Sequence, residues 1–282
     1  MMKKSLIALL SLCAIAALLA LSCTMPDQTP AADAYTWDRF FAESVQEVSI
    51  DGQTRYLIEG DILASEMAEV RQYYDSMLEE PEDGSRATVN VIRKSGKRYA
   101  DTYNSTVRWN ITYKISTAIN ATTRTNLEWA LAQWEGVAGV DFKNITGSSA
   151  TPVFTIRNAT ASEENAMPGV IASAFFPSYS NKTLILFNDF YELFASGTFY
   201  GWDQKAVLLH ELGHGVGLRH EFIWTKNSAG TWTQTGETSA EAYLMSAARD
   251  DYSIMFYPQY SAYKGNGRLS SEDSRWIAWL YP

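Results

Sequence analysis

The chain has 282 residues, which is long enough for one large domain or two small ones with a substantial core. A hydrophobic content of 46% and a charged content of 20% are typical of globular proteins. The formal net charge of −9, without a long basic run, argues against nucleic acid as a partner. Both cysteines, Cys13 and Cys23, lie near the N-terminus, so we expect no disulfide in the rest of the chain.

The N-terminus has the pattern of an export signal. A basic start precedes an apolar run over residues 6–21, and this run is shorter than the ~20 residues that a membrane-spanning helix needs. It ends at Ala20-Leu21-Ser22-Cys23, which resembles a bacterial lipobox with an acylated cysteine. We predict a lipoprotein-type signal peptide over residues 1–22, a tether over residues 23–36, and membrane attachment through a lipid on Cys23. Ordinary secretion with cleavage nearby is the alternative.

Residues 37–105 are predicted to form a small pro-segment. Arg55–Ile58 is strand-like, Gly60-Asp61 breaks the strand, and residues 65–80 have helical spacing. A basic stretch, Arg93–Arg98, follows and offers a cleavage site for a protease.

Residues 106–282 are predicted to form a second domain, in which strand and helix patterns are mixed along the chain. The last helix opens with a capping box at Ser270-Ser271-Glu272-Asp273 and is expected to bury Trp276, Ile277 and Leu280. The other predicted elements are strands over residues 110–116 and 153–157, a helix over residues 122–136, an antiparallel pair over residues 172–177 and 183–187, and a helix that begins near Asp203.

All three histidines of the chain fall within one short run, His210–His220. His210 and His214 are four residues apart, so on a helix their imidazoles lie on one face. Gly217 can adopt the positive φ that ends a helix and turns the chain back, which brings His220 to the same place. Three nitrogen ligands with an open fourth position are typical of a catalytic zinc site. Glu211 lies beside the first ligand, where a carboxylate can act as a general base.

The pattern His210-Glu211-x-x-His214-x-x-Gly217-x-x-His220 resembles that of the metzincin zinc endopeptidases. Asp251–Pro258 is similar to their Met-turn, and it follows the histidine run in the expected order. The resemblance covers about residues 106–282. It implies an α+β fold with a twisted mixed sheet, an active-site helix, a Met-turn and a C-terminal helix. Some features are astacin-like, and others are closer to bacterial HEIGH-type metallopeptidases and matrixins.

The resemblance also implies roles for further residues. Met255 would form an apolar floor beneath the metal, and Tyr257 would ligate zinc at rest and assist catalysis. Glu221 would pair with a new N-terminal amine after processing. Ile58-Glu59-Gly60-Asp61 resembles the astacin pro-peptide motif whose aspartate binds zinc in the latent state, and this implies the same role for Asp61.

Two further expectations concern the sheet edge and calcium. By resemblance, the strand over residues 172–176 would bind extended substrate at its open edge. Asn188 and Asp189 lie where matrixins have an acidic calcium loop. Because two oxygen-bearing side chains fall short of a Ca²⁺ shell, we predict a surface loop there.

The sequence therefore predicts an exported, monomeric zinc endopeptidase that cleaves proteins or peptides outside the cytoplasm. Glu211 would take a proton from a zinc-polarised water and pass it to the leaving amine. Two alternatives stay open: a surface binding or adhesion lipoprotein with a structural zinc site, and a zinc hydrolase with a non-peptide substrate.

Overall fold

The computed structural model describes residues 36–76, 88–92, 103–220, 224–226, 232–234, 242–244, 250–258 and 267–282. The predicted signal, tether, Cys23, the stretch Arg93–Arg98 and Glu221 lie outside these residues. Within the described part of the chain, no helix is long and apolar enough to cross a membrane.

The described elements are helices and short strands, mixed along the chain. The helices are α1 Trp37–Ser44, α2 Met67–Ser76, α3 Ala121–Glu135, α4 Ala161–Ala166, α5 Asn188–Ser196, α6 Gln204–Gly215 and α7 Ser271–Leu280. The strands are β1 Val45–Ile50, β2 Gln53–Ile58, β3 Ile62–Ala64, β4 Thr88–Ile92, β5 Ile111–Ile115, β6 Phe142–Asn144, β7 Phe154–Asn158, β8 Ala172–Ser173, β9 Thr183–Leu186, β10 Trp224–Lys226, β11 Trp232–Gln234 and β12 Ala242–Leu244.

A five-stranded mixed sheet forms the centre of the fold, in the order β6-β5-β7-β9-β8. The first four strands are parallel, and β8 pairs antiparallel with β9 at one edge. This pair is the one predicted for residues 172–177 and 183–187. The sheet, together with the helices, confirms the predicted α+β fold.

Helices α3 and α6 pack against each other over the sheet. One face of α3 is buried, and it includes Leu127, Ala130, Leu131 and Trp134. The indole Nε1 of Trp134 donates a hydrogen bond to the carbonyl of Leu209 at 3.1 Å. This bond fixes α6 to α3, because a buried indole N–H needs an acceptor.

The N-terminal segment (residues 37–76) contains α1, a β1–β2 hairpin, β3 and α2. The hairpin turns at Asp51 and Gly52, which both have positive φ (51° and 73°), as a type I′ turn requires. Phe40, Ile58 and Tyr73 belong to the same buried cluster as Trp134 and Leu209. The N-terminal segment therefore shares one core with the sheet, α3 and α6.

Two local expectations are wrong. Asn188 and Asp189 form the first turn of α5 rather than a surface loop, and the Asn188 N–H is bound by the Glu164 carboxylate at 2.8 Å. Trp276 is only half-buried, because its indole N–H turns outward to Glu272 at 2.7 Å. The Ser270–Asp273 capping box and the burial of Ile277 and Leu280 are confirmed.

Candidate metal centre

Helix α6 carries the first two histidines. Its N-cap is Asp203, whose side chain accepts a hydrogen bond from the Ala206 N–H at 3.1 Å. All residues from Ala206 to Gly215 are buried, so the helix runs through the core rather than over its surface. His210 and His214 project from the same face, and their ring centroids lie 5.0 Å apart.

Gly217 reverses the chain after α6. Its φ is +99°, the conformation predicted for it. The N–H of Leu218 donates to the Gly213 carbonyl at 2.9 Å, and the Gly217 N–H donates to the His214 carbonyl at 2.8 Å. This pair of bonds is a Schellman motif, which requires a left-handed residue at the position of Gly217. The reversal brings His220 against the other two histidines.

The three Nε2 atoms converge. His220 Nε2 lies 3.3 Å from His210 Nε2 and 3.2 Å from His214 Nε2. The other ring nitrogen, Nδ1, faces an oxygen acceptor in each histidine. His210 Nδ1 lies 2.7 Å from the Ile254 carbonyl, and His214 Nδ1 lies 2.7 Å from the Leu218 carbonyl. His220 Nδ1 lies 2.9 Å from the Glu59 carboxylate. These acceptors hold one proton of each ring on Nδ1, so the three Nε2 atoms, which bind a metal when they are unprotonated, face one point.

This geometry fits a zinc ion. A tetrahedral ion with Zn–N bonds of 2.0–2.1 Å separates its nitrogen ligands by about 3.3 Å. Lone pairs held this close repel one another, and a cation between them removes the repulsion.

Asp61 supplies a fourth donor atom. Its Oδ2 lies 2.9 Å from His220 Nε2 and 3.7 Å from His210 Nε2. The ligand atoms of Asp61 and the three histidines all lie within 4.8 Å of one another, and all four side chains are buried. Oδ1 of Asp61 is buried and has no hydrogen-bond partner among the described residues. One carboxylate and three imidazoles form a donor set that suits zinc.

The electrostatics favour positive charge at this point. Burial lowers the pKa of His214 well below its usual value, and the charge of His220 lowers it further, so this imidazole is neutral and able to bind metal. Burial by itself would lower the pKa of His220. The carboxylates of Asp61 and Glu59 outweigh this effect and raise the pKa of His220 to about 10. A cation held between these groups would satisfy both carboxylates.

Glu211 lies on α6 beside this cluster and is 4% exposed. Burial raises its pKa well above the usual value, and the nearby Asp61 carboxylate raises it further. Its Oε2 is buried and has no hydrogen-bond partner among the described residues. Glu211 is therefore a buried carboxyl group with an oxygen that is not committed to the fold.

Met255 packs directly beneath α6. A Cβ atom added at Gly213 would lie only 2.3 Å from Met255 Sδ, so the sulfur touches the helix between the two histidines. The turn that carries Met255 is held by Asp273, whose carboxylate accepts bonds from Ser253 Oγ at 2.7 Å and the Ile254 N–H at 2.9 Å. The Ile254 carbonyl in turn binds His210, so the turn positions both the floor and one ligand.

Tyr257 lies over the histidines, with its ring centroid 4.7 Å from that of His220. Its hydroxyl donates a short hydrogen bond to the Glu59 carbonyl. In this arrangement Asp61, rather than Tyr257, completes the cluster. The role of Tyr257 in catalysis stays a prediction.

The N-terminal segment also covers the sheet edge that was expected to bind substrate. The Ala174 N–H donates to the Asp61 carbonyl at 2.7 Å, and the Leu63 N–H donates to the Ala174 carbonyl at 3.3 Å. Ile62 and Ala174 form a parallel bridge. Residues 61–63 thus occupy the edge beside β8.

Two residues of the site were not identified from the sequence. Glu59 binds His220 Nδ1, and Arg219, which is 1% exposed, lies with its Nη2 3.7 Å from Glu59 Oε1. Arg219 could have been identified from the sequence, because it is a charged residue in an apolar run between His214 and His220. A charged residue that is buried there requires a nearby acid. Glu59 gave no such signal beyond its position beside Gly60-Asp61.

The chain is similar in sequence to one family of known proteins over the region that contains this site. Residues 101–228 match the matrixin family model. Human matrix metalloproteinase-17 is 32% identical over 106 residues, and mouse matrix metalloproteinase-25 is 33% identical over 104 residues; these alignments cover 35% and 34% of this chain. The chain spans 17% of the length of either relative.

Two solved structures of myroilysin are also similar, each with 18% identity and a TM-score of 0.42. They cover 65% and 74% of this chain and 96% of the myroilysin chain in both cases.

The matched residues include α6, the Gly217 turn and all three histidines. The histidine geometry and the Met-turn are those expected from the sequence pattern. Residues 101–228 of the chain are therefore similar to the matrixin family, and this region holds the three histidines of the candidate metal centre.

Proposed function

We propose that the chain is a zinc endopeptidase that is made in a latent form and acts on proteins or peptides outside the cytoplasm. The observation that carries the proposal is the convergence of three Nε2 atoms, with that of His220 lying 3.3 Å and 3.2 Å from those of His210 and His214. Each ring is fixed by a hydrogen bond at its other nitrogen, so the site is organised for a metal ion.

When bound, zinc supplies a Lewis acid that lowers the pKa of a water molecule towards about 7. Glu211 accepts the proton of the attacking water and delivers it to the leaving amine. Its buried, uncommitted Oε2 supports this role. A purely structural zinc site has no use for such a carboxyl group, so Glu211 argues against a binding protein with structural zinc.

Latency follows from two contacts of the N-terminal segment. Asp61 takes the fourth donor position, which a substrate or water needs in a catalytic site. Residues 61–63 pair with Ala174, where an extended substrate would add as a strand. Release of the segment after cleavage near Arg93–Arg98 would free both positions, and Glu221 would then pair with the new N-terminal amine.

The location is proposed from the leader sequence. The apolar run before Cys23 supports export and lipid attachment to the cell envelope, with secretion as the alternative. Mass spectrometry of the cell-associated protein tests this directly. A lipid on Cys23 is expected, and an N-terminus elsewhere without lipid would contradict the anchor.

The activity is tested with the full chain and an unfolded protein as substrate, before and after limited treatment with an Arg-specific protease that is then inhibited. We expect cleavage after treatment, its loss with a zinc chelator, and its loss in Glu211→Gln. The exposed Glu47→Gln is the matched control and should stay active. Activity that survives the chelator or Glu211→Gln would refute the proposal.

Latency has its own test. In the untreated chain, Asp61→Ala should raise activity, because it frees one position at the metal. If Asp61→Ala changes activity neither before nor after treatment, Asp61 is not the inhibitory ligand.

A further inference from the structure

We propose that Glu59 is a positioning residue for the metal site and that, through His220, it makes the latent chain hold zinc more tightly. The inference rests on the proposed function, since it assumes that the histidine cluster binds zinc. It assigns to the N-terminal segment a second task besides inhibition, namely the retention of the metal before processing.

Glu59 and Asp61 contact the same imidazole from opposite sides. Glu59 Oε2 accepts from His220 Nδ1 at 2.9 Å, and Asp61 Oδ2 lies 2.9 Å from His220 Nε2. Because Glu59 holds the proton of the ring on Nδ1, the Nε2 lone pair stays directed to the metal position. One stretch of three residues therefore sets both the orientation and the fourth ligand of this histidine.

His220 is unlike the other two histidines in this respect. His210 and His214 donate to the backbone carbonyls of Ile254 and Leu218, which belong to the Met-turn and to the turn after α6. These acceptors stay in place whatever happens to the N-terminal segment. The acceptor for His220 is 161 residues away in sequence and leaves with the segment.

The backbone of Glu59 is itself fixed on both sides. Its backbone has a left-handed φ of 53°, its N–H donates to the Ser44 carbonyl at 2.7 Å, and its carbonyl accepts from the Tyr257 hydroxyl. Left-handed φ is strained for a residue other than glycine and persists only where contacts impose it. These two backbone bonds hold Glu59 in its left-handed conformation, and from there its carboxylate reaches His220.

Arg219 completes the arrangement. Its guanidinium lies 4.0 Å above the Tyr73 ring, its Nε donates to the Tyr73 hydroxyl at 3.1 Å, and its Nη2 lies 3.7 Å from Glu59 Oε1. Both Tyr73 and Glu59 come from the N-terminal segment. The buried cation next to His220 therefore anchors the carboxylate that orients the ring, and loss of Glu59 leaves that cation with less opposing charge.

Removal of the partner that orients a metal-binding histidine weakens metal affinity by roughly 10- to 100-fold. We therefore expect zinc to bind the latent chain more tightly than the chain from which the N-terminal segment has been released. The metal would be acquired before cleavage, while His220 is still oriented.

The test is zinc affinity measured by competition with a chelating dye, in the full chain with Glu211→Gln to prevent self-cleavage. Glu59→Ala should weaken zinc binding by roughly 10- to 100-fold, because it removes the acceptor for His220. Glu59→Gln keeps an acceptor oxygen and should lose less. The exposed Glu47→Ala is the control and should match the parent.

The outcomes are distinguishable. If the parent binds zinc and Glu59→Ala binds it within about twofold of the parent, the role of Glu59 is refuted while the zinc site stands. If the parent binds no zinc, the proposed function fails first.

A second measurement does not depend on whether Glu59→Ala folds. In the zinc-loaded parent labelled with ¹⁵N-histidine, all three rings should be protonated at Nδ1, and the His220 N–H signal should shift in Glu59→Gln. A His220 ring protonated at Nε2, or an unshifted signal in that variant, overturns the inference.

Discussion

Gly213 is the position at which a single methyl group tests the packing of the active-site helix most directly. It lies between His210 and His214, and an added Cβ would meet Met255 Sδ at 2.3 Å and Trp134 Cζ2 at 3.1 Å. Gly215, two residues along the same helix, is a matched control. There an added Cβ would lie 3.4 Å from the nearest atom, on the Phe175 ring, which is ordinary contact.

The magnitude follows from two opposing effects. Replacement of glycine by alanine inside a helix stabilises it by about 1 kcal/mol, and this gain applies in both variants. Overpacking of a filled core costs about 1–3 kcal/mol, and this applies only at Gly213, where Met255 and Trp134 are 1% and 0% exposed. The free energy of unfolding of Gly213→Ala should therefore lie about 1–3 kcal/mol below that of Gly215→Ala.

The assay is urea or thermal unfolding of the two variants and the parent at saturating zinc, so that differences in metal occupancy do not enter. Each kcal/mol of lost stability lowers the melting temperature of a protein of 150–250 residues by roughly 2–4 °C. A slightly smaller shift per kcal/mol is expected for this longer chain. If Gly213→Ala is as stable as Gly215→Ala, Met255 does not pack against the helix as described, and the explanation for the Met-turn is wrong.

Two further predictions concern carboxylates outside the histidine cluster. Glu163 accepts two bonds of 2.7 Å from Arg157, and although burial acts to raise its pKa, these bonds and the contact with the Thr160 N–H lower it. The stabilisation from Glu163 is thus complete above its unfolded pKa of about 4.3 and is lost as the pH falls towards the folded value. Glu163→Gln should lower the free energy of unfolding at pH 7 by roughly 1–3 kcal/mol. Urea titrations should show that this loss becomes smaller below pH ~4, where the Glu163 carboxylate of the parent is itself protonated. A loss as large below pH ~4 as at pH 7 would contradict the lowered pKa of Glu163. Glu69 accepts bonds from the Ser180 N–H and hydroxyl, each at 2.7 Å, and so ties the N-terminal segment to the turn before β9. Glu69→Gln should speed amide hydrogen exchange at the bridge between β3 and the sheet edge by roughly 5- to 150-fold, and unchanged exchange would show that other contacts hold the segment.

The sequence determined the local features of the site. The spacing of His210 and His214, the glycine at position 217 and the N-cap Asp203 each act within a few residues, so a helix, its end and its reversal follow from the chain alone. The Asp51-Gly52 pair is also a local feature that acts within a few residues. It is a strong signal for a two-residue hairpin, and the β1–β2 hairpin could have been predicted from it.

Only the tertiary structure decided which groups meet across long separations. Glu59 and Asp61 reach His220 from about 160 residues away, and Glu69 reaches Ser180 over 111 residues. No periodicity encodes such pairs, because they depend on how the N-terminal segment packs into the common core. Asp61 could be predicted only through a resemblance, and Glu59 not at all.

The physical reason is the range of the forces involved. Helix caps, turns and imidazole spacing are set by bonds within one or two turns of backbone, and these are written in adjacent residues. The partner of a buried histidine or arginine is set by burial, which demands a compensating group but does not specify where in the chain it comes from.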